Sequence, residues 1–305
     1  MDVVFALVGL AMLLLAGDML VRGATALSTK LGIPPLIVGL TVVAFGTSAP
    51  ELLVCIQAAL EGAPGIAIGN VVGSNIANVL IVLGLPALIA TIDARGGDTR
   101  RSYLMMLGAT AVLIMLCFAG PLVLWHAIVL LVLFTAMMVD MVRQGKAGIE
   151  EIDPDAASMR GWKVTLLLVL GIVGLPLGAH LLIEGAVGIS RALGISEEVI
   201  GLTMVALGTS LPELATTFMA AIRRETGVVM GNVIGSNLFN ILGILGIASL
   251  FGPIPVDPAF LTRDLWVMTG CALVLAPVAL WGWRITKVWG MVFLAAYAGF
   301  TVSLF

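Results

Sequence analysis

The chain has 305 residues, of which 60% are hydrophobic and only 11% are charged, with a formal net charge of −3. An ordinary soluble domain carries about 25% charged residues, so this composition excludes a water-soluble globular protein. Apolar runs long enough to cross a bilayer, roughly 20 residues each, recur from one end of the chain to the other. They predict an all-α polytopic membrane protein that has the lipid bilayer as its environment and no nucleic-acid partner.

Breaks at glycine, proline and clusters of charge divide the chain into ten predicted membrane-spanning helices. In chain order they cover 2–27, 36–60, 69–90, 101–119, 121–142, 162–190, 197–221, 227–250, 262–281 and 284–304. The long polar segment 143–161 separates the fifth span from the sixth and has the composition of a solvated linker. The prediction is therefore two five-helix units, residues 1–142 and 162–305, joined by this linker.

Basic residues are distributed unequally between the two sides that ten spans define. The side that carries the linker collects twelve of them: Lys30, Arg95, Arg100, Arg101, Arg143, Lys146, Arg160, Lys163, Arg223, Arg224, Arg284 and Lys287. The opposite side collects only Arg191 and Arg263. Because lysine and arginine in short loops mark the cytoplasmic face, we expect a plasma (inner) membrane protein with the linker inside and both termini outside.

The second half of the chain repeats the first at a constant offset of 162 residues. The segment "GLTVVAFGTSAPE" (39–51) matches "GLTMVALGTSLPE" (201–213) at ten of thirteen positions, and "GNVVGSN" (69–75) matches "GNVIGSN" (231–237). Since each copy holds five spans, an odd number, the two copies must enter the membrane from opposite sides. Inverted repeats of this kind place the binding site of a transporter near the bilayer midplane, where the halves meet.

Each repeat carries one glutamate, Glu51 or Glu213, inside an apolar segment. A charged side chain at the bilayer centre costs at least about 2.5–3.5 kcal/mol, so these residues are functional candidates. The alternatives are pairing with an arginine or a protonated structural role, although no basic residue lies near either motif in sequence. Pro50 predicts a break in the helix, which would free backbone carbonyls such as that of Ala44.

The candidate ligands around the glutamates are almost all oxygens. The first repeat offers Thr47 and Ser48, and the second offers Thr209, Ser210 and the Ala206 carbonyl. The next span of each half adds two further polar residues, namely Ser74 with Asn78 and Ser236 with Asn240. Hard cations prefer such donors, and Ca²⁺ takes about 6–8 oxygen ligands.

Other polar residues in the spans receive more ordinary interpretations. Asn70 and Asn232 stand at the start of predicted spans, and helix capping is favoured over cation binding. Asp18 and Arg22 lie four residues apart, as do His180 and Glu184, so each pair can satisfy itself within one helix. A role in gating or proton relay is the alternative for these pairs.

The paired "GTSxPE" and "GNVxGSNxxN" blocks resemble the α-repeats of the calcium/cation antiporter superfamily, which contains the sodium/calcium exchangers. The resemblance covers the whole chain and implies antiport, with Ca²⁺ leaving the cell as Na⁺ enters, no cofactor and no obligatory protein partner. It implies that Glu51 and Glu213 are the central Ca²⁺ ligands and that Ser74 and Ser236 help to bind Na⁺. The remaining residues of the oxygen set would flank the glutamates, and spans one and six would slide over the other eight.

One position departs from the superfamily pattern, because many sodium/calcium exchangers carry an aspartate where this chain has Asn240. With Asn78 opposite it, the site has a formal charge of −2, which one Ca²⁺, two Na⁺ or two H⁺ would neutralise. Coupling to H⁺ on the same fold therefore stays open as an alternative, and a passive cation channel is a further one. An intramembrane enzyme is not expected, because the chain lacks an HExxH pair and both histidines are far from the motifs.

Overall fold

The computed structural model describes residues 1–94, 99–145, 159–194 and 208–303, and most of these residues are helical. The first half contains α1 (Asp2–Leu31), α2 (Pro35–Val38), α3 (Ala44–Thr47), α4 (Ala49–Leu60), α5 (Gly65–Ala77), α6 (Gly84–Ala87), α7 (Thr99–Phe118) and α8 (Leu124–Gly145). The second half contains α9 (Gly161–Ala192), α10 (Leu211–Ile222), α11 (Thr226–Leu238), α12 (Leu245–Ala248), α13 (Leu265–Val274), α14 (Ala276–Trp281) and α15 (Lys287–Val302). π-Helical turns occupy Gly39–Val43, Asn78–Val82, Phe239–Ile244 and Phe260–Asp264. The short strands β1 (Ile92–Asp93) and β2 (Arg284–Ile285) pair antiparallel.

Several of these helices are long and apolar enough to cross a membrane. Seven such stretches occur among the described residues: Asp2–Leu31, Gly65–Ala87, Thr99–Phe118, Leu124–Met141, Gly161–Ala192, Thr226–Ala248 and Phe260–Trp281. An eighth is formed by Pro35–Thr47 with Ala49–Leu60, which are bent by 46°. The shorter helices α10 and α15 are also apolar. Helix α10 forms the end of the predicted span 197–221, and residues 197–207 of that span lie outside the described residues. The predicted class, a polytopic α-helical membrane protein, is confirmed.

The two proline motifs break their helices in the same way. Ser48 has φ −87° and ψ 9°, and Ser210 has φ −86° and ψ 1°, so each serine leaves helical geometry just before a new helix starts. Pro50 and Pro212 stand at the beginning of α4 and α10, where a missing N–H costs nothing. Each break therefore places a glutamate in the first turn of the helix that follows.

Helices α1 and α9 form a close antiparallel pair on the periphery of the molecule. Gly9 of α1 lies against Leu182, and Leu20 lies against Gly171, so residue numbers rise along one helix as they fall along the other. A Cβ added at Gly9 would come within 2.3 Å of the Leu182 amide nitrogen, which means that the two backbones touch. Small residues permit such contact in a membrane, where close packing and not hydrophobicity holds helices together.

The polar pair on α1 also reaches outside its own helix. Asp18 lies 3.9 Å from Arg22, as the spacing predicts, but it also forms an ion pair and a hydrogen bond with Arg223, just after α10. The corresponding His180 and Glu184 on α9 lie 4.0 Å apart and are largely exposed. The contact expected within α1 is therefore present, and Arg223 adds a second partner because the end of α10 packs beside Asp18.

The interior is built around the stretch Thr226–Ala248, which is buried over nearly its whole length, whereas α1 and α9 leave most of their length uncovered by protein. Thr226–Ala248 packs against Pro35–Thr47 with almost no side chain between them at Gly39 and Gly231. This contact brings the proline motif of the first half beside the "GNVIGSN" segment of the second. The polar residues of both repeats consequently meet in the centre of the molecule.

Candidate cation-binding site

Glu51 and Glu213 lie in the centre of the molecule, with 1% and 0% of their surface exposed. Within the described part of the chain, neither carboxylate forms a salt bridge with a basic side chain. The interpretation that each glutamate pairs with an arginine therefore has no support among these residues.

Oxygen atoms without a hydrogen-bond partner cluster on the predicted set. Ten buried side-chain nitrogen or oxygen atoms of the described residues have no partner, and six are oxygens of predicted ligands: Glu51 Oε2, Glu213 Oε2, Ser210 Oγ, Ser236 Oγ, Asn78 Oδ1 and Asn240 Oδ1. Leaving one such atom unsatisfied costs about 1–3 kcal/mol. A cation coordinated by these oxygens would remove that cost, so the donor set fits a hard metal ion.

The proline motif of the first repeat contacts the glutamate of the second. Ser48 Oγ donates a 2.7 Å hydrogen bond to Glu213 Oε1. The equivalent residues in the opposite direction are Ser210 and Glu51, and both keep a buried oxygen without a partner. The two halves are thus alike in sequence but unlike in this contact.

The remaining predicted ligands are not all disposed as the sequence suggested. The Ala44 carbonyl is not freed, because it accepts hydrogen bonds from Ser48 N at 3.0 Å and from Thr47 Oγ1 at 3.2 Å. Pro50 lies six residues after Ala44, so the helical bond that it removes belongs to another carbonyl. Ser74 is buried and Thr209 is half-buried, while Ala206 lies outside the described residues. A ligand role for these residues stays a prediction.

Asn232 belongs to this centre, and its interpretation as a helix cap is wrong. Helix α11 begins at Thr226, so Asn232 lies in its second turn, completely buried. Its Nδ2 donates to Thr217 Oγ1 at 2.9 Å and to the Glu213 carbonyl at 3.3 Å. Its Oδ1 lies 3.3 Å from Thr47 Oγ1, whose one proton is shared between this oxygen and the Ala44 carbonyl. Asn232 therefore connects both proline motifs.

The equivalent residue Asn70 is also inside a helix, since α5 begins at Gly65. Its Nδ2 donates to the Cys55 sulfur at 3.4 Å. Cys55 is the first-repeat equivalent of Thr217, which accepts from Asn232 in the second repeat. Sulfur is a weak acceptor, so the side chain of Asn70 is held less firmly than that of Asn232.

Replacing Asn232 by alanine is expected to weaken Ca²⁺ binding about tenfold or more, because residues that orient ligands typically contribute 10–100-fold to metal affinity. The matched control is Asn70→Ala, which loses mainly the weaker contact to sulfur and should change affinity less than threefold. Calorimetric titration of Ca²⁺ into the purified variants measures both values. Equal losses in the two variants would contradict the role assigned to Asn232.

Asn75 and Asn237, which the sequence analysis did not single out, each accept a hydrogen bond from an asparagine of the other half of the chain. Asn240 Nδ2 donates to Asn75 Oδ1 at 3.1 Å, and Asn78 Nδ2 donates to Asn237 Oδ1 at 3.0 Å. These two bonds are related by the 162-residue offset. Both donors sit in π-helical turns, which are frequent at functional sites. The signal was present in the sequence, because "GSN" occurs in both repeats.

A cavity of about 330 Å³ lies between α9 and the starts of α4 and α10. Pro50 and Pro212, each one residue before a glutamate, line it together with Thr209. His180 of α9 forms part of the opposite wall. The cavity therefore separates part of α9 from the two proline motifs.

Known proteins resemble this chain along its whole length. A family model described as sodium/calcium exchanger protein matches residues 1–142 and 163–305. The sodium/calcium exchanger MaX1 of Methanosarcina acetivorans is 33% identical over 339 residues, covering 98% of this chain and 97% of that protein. The inner membrane protein YrbG of Escherichia coli is 35% identical, covering 88% and 86%. A solved structure of the sodium-calcium exchanger NCX_Mj, soaked with 10 mM Na⁺ and zero Ca²⁺, has a TM-score of 0.87 and 36% identity, covering 100% and 99% of the two chains.

Proposed function

Because this chain belongs to the sodium/calcium exchanger protein family, we propose that it exchanges Ca²⁺ for Na⁺ across the membrane by alternating access. The resemblance noted from the sequence motifs is confirmed, and the protein is a membrane transporter and not an enzyme. Ca²⁺ and Na⁺ are the cargo of the family, so they enter here as substrates and not as a resident cofactor.

The observation that carries the proposal is the cluster of buried oxygens without partners on Glu51, Glu213, Ser210, Ser236, Asn78 and Asn240. No group of three or more His, Cys, Asp or Glu side chains in the described part of the chain could hold a metal ion. A cation bound at this centre must therefore use neutral hydroxyl and amide oxygens beside the two carboxylates. Ca²⁺ and Na⁺ accept such ligands, whereas softer transition metals prefer nitrogen and sulfur.

The proposed architecture is ten spans in two inverted five-helix units, 1–142 and 162–305, with the linker 143–161 in the cytoplasm and both termini outside. The antiparallel pair α1 and α9 supports it, because equivalent first helices must point in opposite directions in an inverted repeat. The crossed hydrogen bonds between equivalent asparagines support it as well, since they relate the halves as a two-fold axis would.

Alternating access would use the peripheral pair α1 and α9 as the moving part. Both helices leave most of their surface uncovered by protein, and they pack far more extensively on each other than on the remaining helices. The cavity between α9 and the proline motifs would be the path by which a cation reaches Glu51 and Glu213 from one side. Sliding of the pair would close this path and open its counterpart on the other side.

The charge of the site sets the expected coupling. Two glutamates give −2, which one Ca²⁺ or two Na⁺ neutralise, whereas three Na⁺ would leave +1. A low-dielectric centre penalises uncompensated charge, so neutral occupancies are favoured. We therefore propose exchange of two Na⁺ for one Ca²⁺ without net movement of charge.

The test is uptake of radioactive Ca²⁺ into proteoliposomes under an imposed Na⁺ gradient, and separately under a pH gradient without Na⁺. Uptake that requires Na⁺ and does not respond to a potential set with valinomycin and K⁺ is the expected result. Uptake that requires only the pH gradient would replace Na⁺ by H⁺ as the coupling ion, because two protons also neutralise the site. Flux that ignores both gradients would overturn antiport and indicate a passive channel.

A further inference from the structure

We propose that Asn75 and Asn237 are positioning residues of the cation site, each holding an asparagine of the opposite repeat with its oxygen towards the cation. The proposal rests on the function proposed above and adds two residues to the machinery of the site. Neither residue is expected to touch the cation. Their effect would pass through Asn240 and Asn78.

The hydrogen bonds to Asn75 and Asn237 occupy the nitrogen end of each partner amide. Asn240 Nδ2 donates to Asn75 Oδ1 at 3.1 Å, and Asn240 Oδ1 is left buried without a partner. Asn78 does the same with Asn237, at 3.0 Å, and its Oδ1 is likewise buried without a partner. In both halves the oxygen is therefore the free end of the amide.

The positioning residues are themselves held by methionines. Asn75 Nδ2 lies 3.6 Å from Met268 Sδ, and Asn237 Nδ2 lies 3.6 Å from Met106 Sδ. The two methionines are again 162 residues apart, and both are buried. Each methionine accepts the N–H of its asparagine, which leaves that asparagine's oxygen facing the amide across the boundary. Two equivalent chains result, each running from methionine through one asparagine to the next.

This arrangement answers a chemical problem that an asparagine ligand creates. The oxygen and the NH₂ group of an amide have nearly the same size, so shape alone does not decide which one faces a cation. An NH₂ group directed at Ca²⁺ or Na⁺ would repel it, whereas the oxygen coordinates it. A fixed acceptor for the NH₂ group selects the correct orientation before the ion arrives, as second-shell partners do at other metal sites.

The experiment is a pair of double-mutant cycles on Ca²⁺ affinity, measured by calorimetric titration of CaCl₂ into the purified full-length protein. Asn75→Ala is expected to weaken binding about tenfold in the wild-type background. In the Asn240→Ala background the same change should have almost no further effect, because the amide that Asn75 orients is absent. In the Asn78→Ala background it should keep its full effect, although Asn78 is on the same helical span as Asn75.

A purely structural role predicts a different pattern. If Asn75 only held two helices together, its loss would weaken binding equally in both backgrounds, and that result would overturn the proposal. If Asn75→Ala does not fold, the equivalent cycle with Asn237→Ala is measured, in which Asn78→Ala is the coupled background and Asn240→Ala the uncoupled one. Absence of Ca²⁺ binding to the wild-type protein would instead refute the proposed function.

Discussion

Replacing Glu51 or Glu213 by glutamine is expected to abolish Ca²⁺ transport. Glutamine has the shape of glutamate but removes one of the two negative charges that balance the cation. A bound Ca²⁺ would then leave an uncompensated positive charge in a buried site. Removing one partner of a buried charge pair costs about 3–5 kcal/mol, so Ca²⁺ affinity should fall at least about 100-fold. Flux into proteoliposomes and calorimetric titration measure the two effects.

The matched control is Glu61→Gln, at the end of the helix that starts with the Glu51 motif. Glu61 is exposed and accepts a hydrogen bond from Gln57, so its charge is solvated by water. Transport by this variant should stay within about twofold of wild type, as expected for an exposed charge. Near-normal flux in both Glu51→Gln and Glu213→Gln would remove the two carboxylates from the proposed site.

Replacing Gly9 or Gly185 by alanine is expected to disrupt the α1–α9 pair and with it most of the transport. An added Cβ at Gly185 would lie 2.4 Å from the backbone nitrogen of Ala6 and 2.4 Å from the carbonyl oxygen of Asp2. These neighbours are backbone atoms, so the helices themselves must separate. Overpacking of this kind typically costs about 1–3 kcal/mol. We expect a lower melting temperature in detergent and at least about a tenfold loss of Ca²⁺ flux.

Two glycines provide the control for the same chemical change. An added Cβ at Gly108 in α7 or Gly270 in α13 would meet no atom within 4 Å. Alanine is the better helix former by about 1 kcal/mol, so Gly108→Ala and Gly270→Ala should be neutral or slightly stabilising. If Gly9→Ala and Gly185→Ala behaved like these controls, transport would not depend on close contact between α1 and α9.

The repeated motifs allowed much of the centre to be anticipated. Polar residues recurring at one offset pointed to Glu51, Glu213, Asn78 and Asn240, because two copies of one pattern do not arise from lipid-facing composition. The predicted helices also agree with the observed ones wherever the chain is described, apart from shifts at their ends. Two of the shifts are four residues long: α1 ends at Leu31 and not at residue 27, and α5 begins at Gly65 and not at residue 69.

The errors come from interactions that sequence spacing does not contain. Asn70 was interpreted as a cap because the start of its helix was placed four residues late, and Asn232 was interpreted in the same way as its equivalent in the second repeat. The contacts of Asn232 to Thr47 and Thr217 depend on how the elements pack. Asp18 has a partner only four residues away, which hid its pairing with Arg223. The π-helical turns at Asn78 and Asn240 were likewise not anticipated, because no residue pattern marks them.

The unequal serine contacts have a thermodynamic consequence for the transport cycle. Ser48 bonds to Glu213, while Ser210 and Glu51 keep oxygens without partners. If the second half takes over this contact when the first half gives it up, the two end states contain the same number of interactions made by equivalent residues. This contact then contributes the same free energy to both end states and favours neither, so it would leave the direction of net transport to the ion concentrations on the two sides.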